Sequence, residues 1–567
     1  MAGFSQRLTI GLAFLALGGC GSAQPPKGMP APENSPGAQE QLSRLVDRYW
    51  DEHIQAASVI SPQVLADSLA VERRYLSELA GVSRPALDVN SRLTYDIFKR
   101  RRETLVEGFT YPSELMPLDS FGGVLQSFEI LSADSSQRPW SVAEYENWLK
   151  RLGEYVAWTQ QAILNMREGL RRGYVSPRLV IAHSIELLER SAEDTPANAF
   201  RAPLRSLPAS IGESDRARLK NQITAAVDAQ LLPANLALRD FLQHDYLARG
   251  RSSVALTDLP LGDKWYAFRI KRATDSPLTA AEIHAIGVTE VERLKAHWPP
   301  AHETFPGTAL SAADLLGAYQ ALIPQVAAAM LPVFAEPPST PLEVRGTLWL
   351  ADPLRALQYI PEGLLGKPAA VLYVNIGAPM LHAASTTHLS VANFLQEALP
   401  GHHLQSILAH ERLDLPRFRR MEQDAGFVQG WDLYALSLGE QLGLLTDDAA
   451  KTEALMQQLR CAVGLVVDTG LHAQGWTPKQ ALAYVHSELA IDDAGAQSLL
   501  DWYVANPADA LACKMGELKI AALRTKAQQV LGSRFDIRAF HAEILKDGAM
   551  PLDILEAKMK IWMEAAR

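Results

Sequence analysis

The sequence predicts a mainly α-helical protein that contains one small β-sheet. Three capping boxes, at residues 141–144, 279–282 and 477–480, each indicate the start of a helix. Behind the second box, apolar side chains recur at the three- and four-residue spacing of one helix face. Only the stretches 344–352 and 369–377 are rich in residues suited to strands. The helical body is therefore expected to hold a small sheet.

The helix starts follow from side chains that satisfy free backbone N–H groups. In each box a Ser or Thr is followed three residues later by Glu or Gln, and the two side chains bond reciprocally to the backbone. At the first box, Trp140 and Tyr145 flank the cap at the positions of a hydrophobic staple. At the third, Pro478 takes the first helical position, where an N–H would have no partner in the helix. The apolar stripes behind these caps predict core contacts.

The two strand-like stretches read VRGTLWLAD and AAVLYVNIG, and they break the helical pattern. They predict a small antiparallel sheet beside a cleft, just before a pair of adjacent histidines. A turn-rich stretch at 256–277 is predicted to divide the body, residues 40–567, into lobes 40–265 and 266–567.

The N-terminus has the features of a bacterial lipoprotein signal. Arg7 precedes an apolar stretch that is too short to span a bilayer, and this stretch ends in Leu-Gly-Gly-Cys at Cys20. Residues 1–19 are predicted to be the signal peptide, Cys20 the lipidated residue, and residues 20–39, rich in Pro, Gly and Ser, a flexible tether. The protein is expected in the bacterial cell envelope, bound to a membrane through its lipid, and Gly21 favours the outer membrane, facing the periplasm or the surface.

Composition excludes nucleic acid as a partner. The formal charge of −10, with 54 basic and 64 acidic residues mixed along the chain, offers no basic stripe for phosphates. Besides Cys20 the chain has only Cys461 and Cys513, too few for a disulfide framework, and a single bridge between them stays open.

The stretch QEALPGHHLQ, residues 396–405, looks like most of a metal site. His402 and His403 follow a Pro-Gly break, and Glu397 lies five residues before the first of them. In helical zinc motifs two histidines four residues apart share one face, and a neighbouring glutamate polarises the metal-bound water. Pro400 disfavours helical geometry at the residue before it, so the chain is expected to bend here and to bring a later histidine back.

Together with this motif, several longer stretches resemble one bacterial family. They include EYENWLKRLGEY (144–155), LVVDTGLHAQGW (465–476) and GAMPLDILE (548–556), and the likeness runs over nearly the whole mature chain. The sequence is similar to the family called domain of unknown function 885, a zincin-like group with many lipoproteins. The resemblance implies a zincin-like helical body and a zinc-dependent hydrolase or metallopeptidase in intact relatives.

The family motif reads His-Glu-x-x-Pro-Gly-His-His, followed downstream by Glu-Gly-Trp-x-x-Tyr. The resemblance implies that His402 or His403 would bind zinc and that Glu397 would be the general base. It also implies two further ligands that this chain lacks, because Gln396 stands at the first family histidine and Gln429 at the downstream glutamate.

Two more site positions depart from the family pattern, while packing positions do not. Cys513 stands where the family carries a tyrosine, a candidate transition-state donor, and Gly464 stands where an arginine is usual. Trp431 and Tyr434 of the downstream motif are retained. Changes confined to polar site positions predict a lost metal site rather than random drift.

The chemistry of zinc ligands predicts how these changes affect metal binding and catalysis. The amide oxygen of glutamine is neutral and a poor zinc ligand. Changing a residue that hydrogen-bonds to a zinc ligand typically lowers metal affinity by roughly 10–100-fold, so the loss of two ligands should lower zinc affinity further. Without a metal, Glu397 has no acidified water to deprotonate. The chain is therefore predicted to bind no cofactor, and to be a noncatalytic peptide-binding or regulatory protein, with a peptide laid along an edge strand at Leu372–Ile376.

An active hydrolase with a remodelled site is the alternative. In it, His402 or His403 would act with Glu397, Asp468 or His472, either to hold a different metal or as a metal-free acid/base pair. Asp468 also lies in a Val-Val-Asp-Thr-Gly run that resembles the aspartic-protease signature. That chemistry needs two carboxylates that share a proton, and the single copy argues against it.

Overall fold

The computed structural model describes most of the 567-residue chain. The described residues are 37–53, 60–120, 139–192, 199–297, 310–335, 338–347, 356–361, 370–376, 389–489 and 491–566, with positions 124, 125, 128, 131, 132 and 135. The predicted signal peptide, Cys20 and most of the predicted tether lie outside them. The first helix begins at Ala38, two residues inside the stretch predicted as tether.

Helices make up most of the described chain, which confirms the mainly α fold. The helices before the sheet are α1 (Ala38–His53), α2 (Pro62–Ala80), α3 (Val89–Gly108), α4 (Val142–Arg172), α5 (Arg178–Ala192), α6 (Ala202–Arg205), α7 (Glu213–Ala226), α8 (Leu232–Asp240), α9 (Gly262–Thr274), α10 (Ala280–Lys295) and α11 (Ala312–Met330). Those after it are α12 (Val391–Glu397), α13 (His402–His410), α14 (Arg417–Met421), α15 (Ala425–Ser437), α16 (Asp448–Ala473), α17 (Pro478–Glu488), α18 (Asp493–Ala505), α19 (Leu511–Leu531), α20 (Ile537–Leu545) and α21 (Leu552–Ala565). Within the described residues, no helix combines the length and apolar character needed to cross a bilayer.

The predicted helix starts are confirmed. Ser141 caps α4 by accepting a hydrogen bond from the backbone N–H of Glu144, whose side chain bonds back to the backbone of Ser141. The rings of Trp140 and Tyr145 lie 5.1 Å apart, as expected of a hydrophobic staple. The two other predicted capping boxes are also formed.

The sheet has three strands: β1 (Leu342–Thr347), β2 (Leu357–Ile360) and β3 (Ala370–Asn375). Both predicted strand stretches contain a strand, although residues 348–352, 369 and 377 of those stretches lie outside the described residues. The four-residue strand β2 was not predicted, because it is too short to show a periodic pattern.

Two details of the predicted sheet are wrong. The order is β1–β3–β2, with β3 parallel to β1 and antiparallel to β2, so the sheet is mixed rather than antiparallel. Residues 372–375 of the stretch Leu372–Ile376 belong to the central strand β3, which pairs with β1 on one side and β2 on the other, so the stretch is not an edge strand. An alternating apolar pattern is the same for parallel and antiparallel neighbours, and the path of the chain between strands decides the pairing.

The sheet lies between two apolar cores. Leu372 and Val374 point into a core built on α1–α3, α11–α15 and α19–α21, whereas Val371 and Tyr373 point into a core built on α4–α8 and α16–α18. Each core combines residues from before and after position 265. The two lobes proposed from the sequence share both cores, and their independence stays a prediction.

The stretch 256–277 is not irregular throughout, because α9 fills Gly262–Thr274. Its charged residues had obscured an apolar face that places Trp265, Tyr266 and Phe268 in a third, smaller core. Tyr266 of this helix also donates a hydrogen bond to Asp468.

Helices α15 and α19 approach each other so closely that glycine is required at the contact. A Cβ on Gly430 would lie 2.4 Å from the carbonyl carbon of Gly516, and a Cβ on Gly516 would lie 1.9 Å from the carbonyl oxygen of Gly426. A disulfide between Cys461 and Cys513 ties α19 to α16 as well, which settles the bridge that the sequence left open. These contacts set the position of α15, which carries Gln429.

Candidate functional site

The predicted bend between the glutamate and the histidines is present. Helix α12 ends at Glu397 and α13 begins at His402, and the Leu399–Pro400 peptide bond between them is cis. A Cβ on Gly401 would lie 1.9 Å from the carbonyl oxygen of Gln396, so only glycine fits here. The indole Nε1 of Trp431 donates a hydrogen bond to the carbonyl oxygen of Pro400 at 3.0 Å. The retained Pro400 and Gly401 therefore form the bend, and the retained Trp431 is hydrogen-bonded to it.

Both histidines are buried beside β2. The imidazole Nδ1 of His403 lies 3.2 Å from the hydroxyl of Tyr359, and the ring centroids of His402 and His403 lie 5.1 and 5.2 Å from the tyrosine ring. Burial, reinforced by the neighbouring His402, lowers the pKa of His403 to about 4. His403 is therefore neutral at pH 7.

Glu397 is directed at the same strand. Its Oε2 accepts a hydrogen bond from the backbone N–H of Tyr359 at 3.2 Å. The residue at the general-base position thus bonds to the backbone of β2, and it is only partly buried.

Sequence reasoning missed Asp432, which the structure places beside His402. Its Oδ2 lies 3.8 Å from Nδ1 of His402, and the residue is only 2% exposed. Burial, and then the charge of Glu397, raise the pKa of Asp432 well above its ordinary value. A signal was available, because Asp432 follows Gln429 by three residues, and residues three apart share a helix face.

The described residues around the bend do not fit a zinc site. Gln396 and Gln429 are both buried, on helices α12 and α15 that pack together, and each side chain offers only a neutral amide. Among the residues that the structure describes, no group of three or more His, Cys, Asp or Glu side chains is arranged to hold a metal ion. Zinc sites rely on such side chains for ligands and for charge balance.

Asp468 and His472 on α16 are engaged elsewhere. The Asp468 carboxylate accepts hydrogen bonds from the hydroxyl of Tyr266 at 2.6 Å and from the backbone N–H of Ala508 at 3.0 Å, and burial raises its pKa to about 8. His472 accepts from the backbone N–H of Leu256 at Nδ1 and lies 2.9 Å from the carbonyl oxygen of Tyr503 at Nε2. None of these contacts is with the residues around the bend, so both side chains act here as structural ties.

Cys513, at the position of the family's candidate transition-state donor, and the retained Tyr434 are both in structural contacts. The sulfur of Cys513 is bonded to that of Cys461, so it is not a free thiol. The hydroxyl of Tyr434 lies 2.8 Å from Nε2 of His541, whose Nδ1 lies 2.8 Å from the carbonyl oxygen of Val333. The retained tyrosine of the downstream motif therefore ties α15 to α20.

Comparison with known proteins places this fold. Residues 51–559 match the model of a family described as a bacterial protein of unknown function, DUF885. A "putative lipoprotein" from Colwellia psychrerythraea has a crystal structure similar to this chain, with a TM-score of 0.80 and 22% sequence identity over 93% of this chain and 100% of that one. A "putative lipoprotein of unknown function" from Shewanella oneidensis is similar at a TM-score of 0.62 and 14% identity, with the same coverage. No curated protein matches the sequence. The chain belongs to the DUF885 family.

Proposed function

We propose that this chain is a noncatalytic member of its family: a lipid-anchored envelope protein that binds a peptide or peptide-like ligand without zinc and does not hydrolyse it. One observation carries the proposal. The two positions where the family resemblance implies a histidine and a glutamate ligand, Gln396 and Gln429, hold buried amides. Neither amide can supply the negative charge or the imidazole that a tight zinc site requires.

The surroundings of Glu397 support the loss of catalysis. A general base in a zinc hydrolase needs a metal-bound water, because the metal brings the pKa of that water near neutrality. Here the carboxylate bonds instead to the backbone of Tyr359. The contacts of Cys513 point the same way, because a disulfide sulfur cannot donate a proton to a developing oxyanion.

Three observations support the envelope location. The N-terminal sequence has a signal with a lipobox ending at Cys20. A disulfide joins Cys461 and Cys513, and disulfides persist in compartments outside the reducing cytosol. The two solved structures named above both carry the word lipoprotein in their names. A Cys20→Ala variant is expected to lose fatty-acid labelling and to move from the detergent phase to the aqueous phase; labelling that survives this change would contradict the anchor.

Metal analysis of two purified variants tests the loss of zinc. The native chain, purified without added metal, is expected to carry substoichiometric zinc, whereas a Gln396→His/Gln429→Glu double variant is expected to bind zinc tightly. Gln63→Glu, on the exposed face of α2, adds the same charge away from the site and is expected to behave like the native chain. A native chain that retains one tightly bound metal, or hydrolyses peptides in a manner abolished by Glu397→Ala, would show that the remodelled-hydrolase alternative is right.

A further inference from the structure

Two carboxylates near His402 have no lysine or arginine partner among the described residues. Glu397 bonds to a backbone N–H, and Asp432 has a charge contact only with His402. Asp432 makes no hydrogen bond with any residue that the structure describes, and its Oδ1 is completely buried. Buried charges in proteins are normally paired, because removing them from water without a partner is costly.

More buried acceptors and donors lie one turn along α13. The side-chain oxygen of Gln405 and the hydroxyl of Ser406 are buried and, within the described part of the chain, have no hydrogen-bond partner. They follow His402 by three and four residues, so they share its helix face. Helix α13, which carries this group, packs against α15, which carries Asp432. The cluster thus offers mostly acceptors and a negative charge.

A bound organic cation would satisfy these groups better than a metal ion would. The described residues hold no three-ligand metal group, so a bare divalent ion would lack its coordination shell. A primary ammonium brings three N–H donors on a compact positive charge, and hydrogen bonds between ionised partners are about twice as strong as neutral ones. It would also offset the repulsion between Glu397 and Asp432.

We propose that Asp432 and Glu397 bind a primary ammonium group of a peptide-like ligand, supplied either by a free amino terminus or by a lysine side chain. This inference rests on the proposed function, because it names the chemical group that the noncatalytic site recognises. The positive charge of the ligand would stand where intact relatives, by the resemblance, hold a metal ion.

Retention of matched peptide pools on the immobilised full-length chain tests the proposal. Three pools of random lysine-free tetrapeptides would be compared: one with free amino termini, one N-acetylated, and one N-acetylated with a single added lysine. We expect a pool with a primary amine to be retained at least about tenfold more than the N-acetylated, lysine-free pool, the effect of one charge-assisted hydrogen bond. Whether the first or the third pool is preferred identifies the source of the ammonium.

The variant Asp432→Asn keeps the side-chain shape and removes the charge, and it is expected to abolish the preference for amines. Asp245→Asn, on an exposed surface, is the matched control and should keep it. Circular dichroism and the thermal midpoint verify that both variants fold; if Asp432→Asn does not fold, Glu397→Gln takes its place.

The outcomes separate this inference from the proposed function. Equal retention of free and acetylated pools, or a preference that survives Asp432→Asn, overturns the ammonium assignment while peptide binding stands. Retention of none of the pools overturns both the assignment and the peptide-binding role. Tight metal in the native chain, with loss of that metal in Asp432→Asn, would assign the carboxylates to a metal instead.

Discussion

The contact between Tyr434 and His541 makes a quantitative prediction about acid stability. Nδ1 of His541 lies 2.8 Å from the carbonyl oxygen of Val333, so this nitrogen carries the proton and donates. Nε2 must then accept from the hydroxyl of Tyr434, which also receives a hydrogen bond from Arg524. A nitrogen that accepts a hydrogen bond cannot carry a proton, so the contact at Nε2 requires a neutral imidazole. Burial accordingly lowers the pKa of His541 to about 4.

The sign and size of the effect follow from this shift. An unfolded histidine titrates near pH 6.5. Because the folded pKa is depressed, the full stability is present above that value, and it is lost as the pH falls through the unfolded value toward the folded one. With a folded pKa of about 4, His541 should lower the free energy of unfolding by about 2 kcal/mol at pH 5 relative to pH 8.

Urea unfolding of the wild type and of His541→Gln at pH 8 and pH 5 measures this contribution. The variant cannot titrate, so its pH-dependent loss should be about 2 kcal/mol smaller than that of the wild type. Other buried histidines, including His403 and His472, contribute equally to both proteins and cancel. His244→Gln, at an exposed position, is the control and should behave as the wild type. The same pH-dependent loss in the wild type and in His541→Gln would refute the reasoning.

Three further predictions concern stability. Gly430→Ala should destabilise the chain by about 1–3 kcal/mol in urea unfolding, because a Cβ would meet the backbone of α19 at 2.4 Å. Gly153→Ala, with open space around its Cβ, should be neutral or stabilising, and equal effects of the two changes would contradict the glycine contact. Because the pKa of Asp468 is raised to about 8, the free energy of unfolding should fall as the pH rises from 6 to 9, by up to about 1.4 kcal/mol per pH unit. The variant Asp468→Asn should remove this pH dependence, and a slope that persists in the variant would refute the prediction. Breaking the disulfide, which spans 52 residues, by changing Cys461 and Cys513 to alanine should cost about 2–4 kcal/mol, and an unchanged urea midpoint would contradict a stabilising bridge.

Local rules account for the parts of the fold that could be predicted. The capping box at Ser141 and the staple of Trp140 with Tyr145 involve residues a few positions apart, so their geometry is set within one turn. The bend at Pro400 is likewise local, because proline restricts the residue before it. The strand containing Leu372 could also be predicted locally, from the strand-forming residues next to it in sequence.

Pairings between distant segments could not be predicted. The sequence pattern around Leu372 is compatible with an edge or a central position, and only the packed sheet showed that β3 lies between its two neighbours. Asp468 was predicted to act with His402 or His403 in the remodelled-site alternative, yet its partners are Tyr266 and Ala508, 202 and 40 residues away in sequence.

By itself, the sequence determined the helical class of this protein, its helix starts, the bend before the histidines and the amides at Gln396 and Gln429, since each depends on residue identity or on neighbours within a few positions. Only the tertiary structure decided that Asp432 meets His402 and that Glu397 bonds to Tyr359. Those contacts depend on how closely α12, α13 and α15 pack around β2, and burial in this packing raises the pKa of Asp432 above its ordinary value.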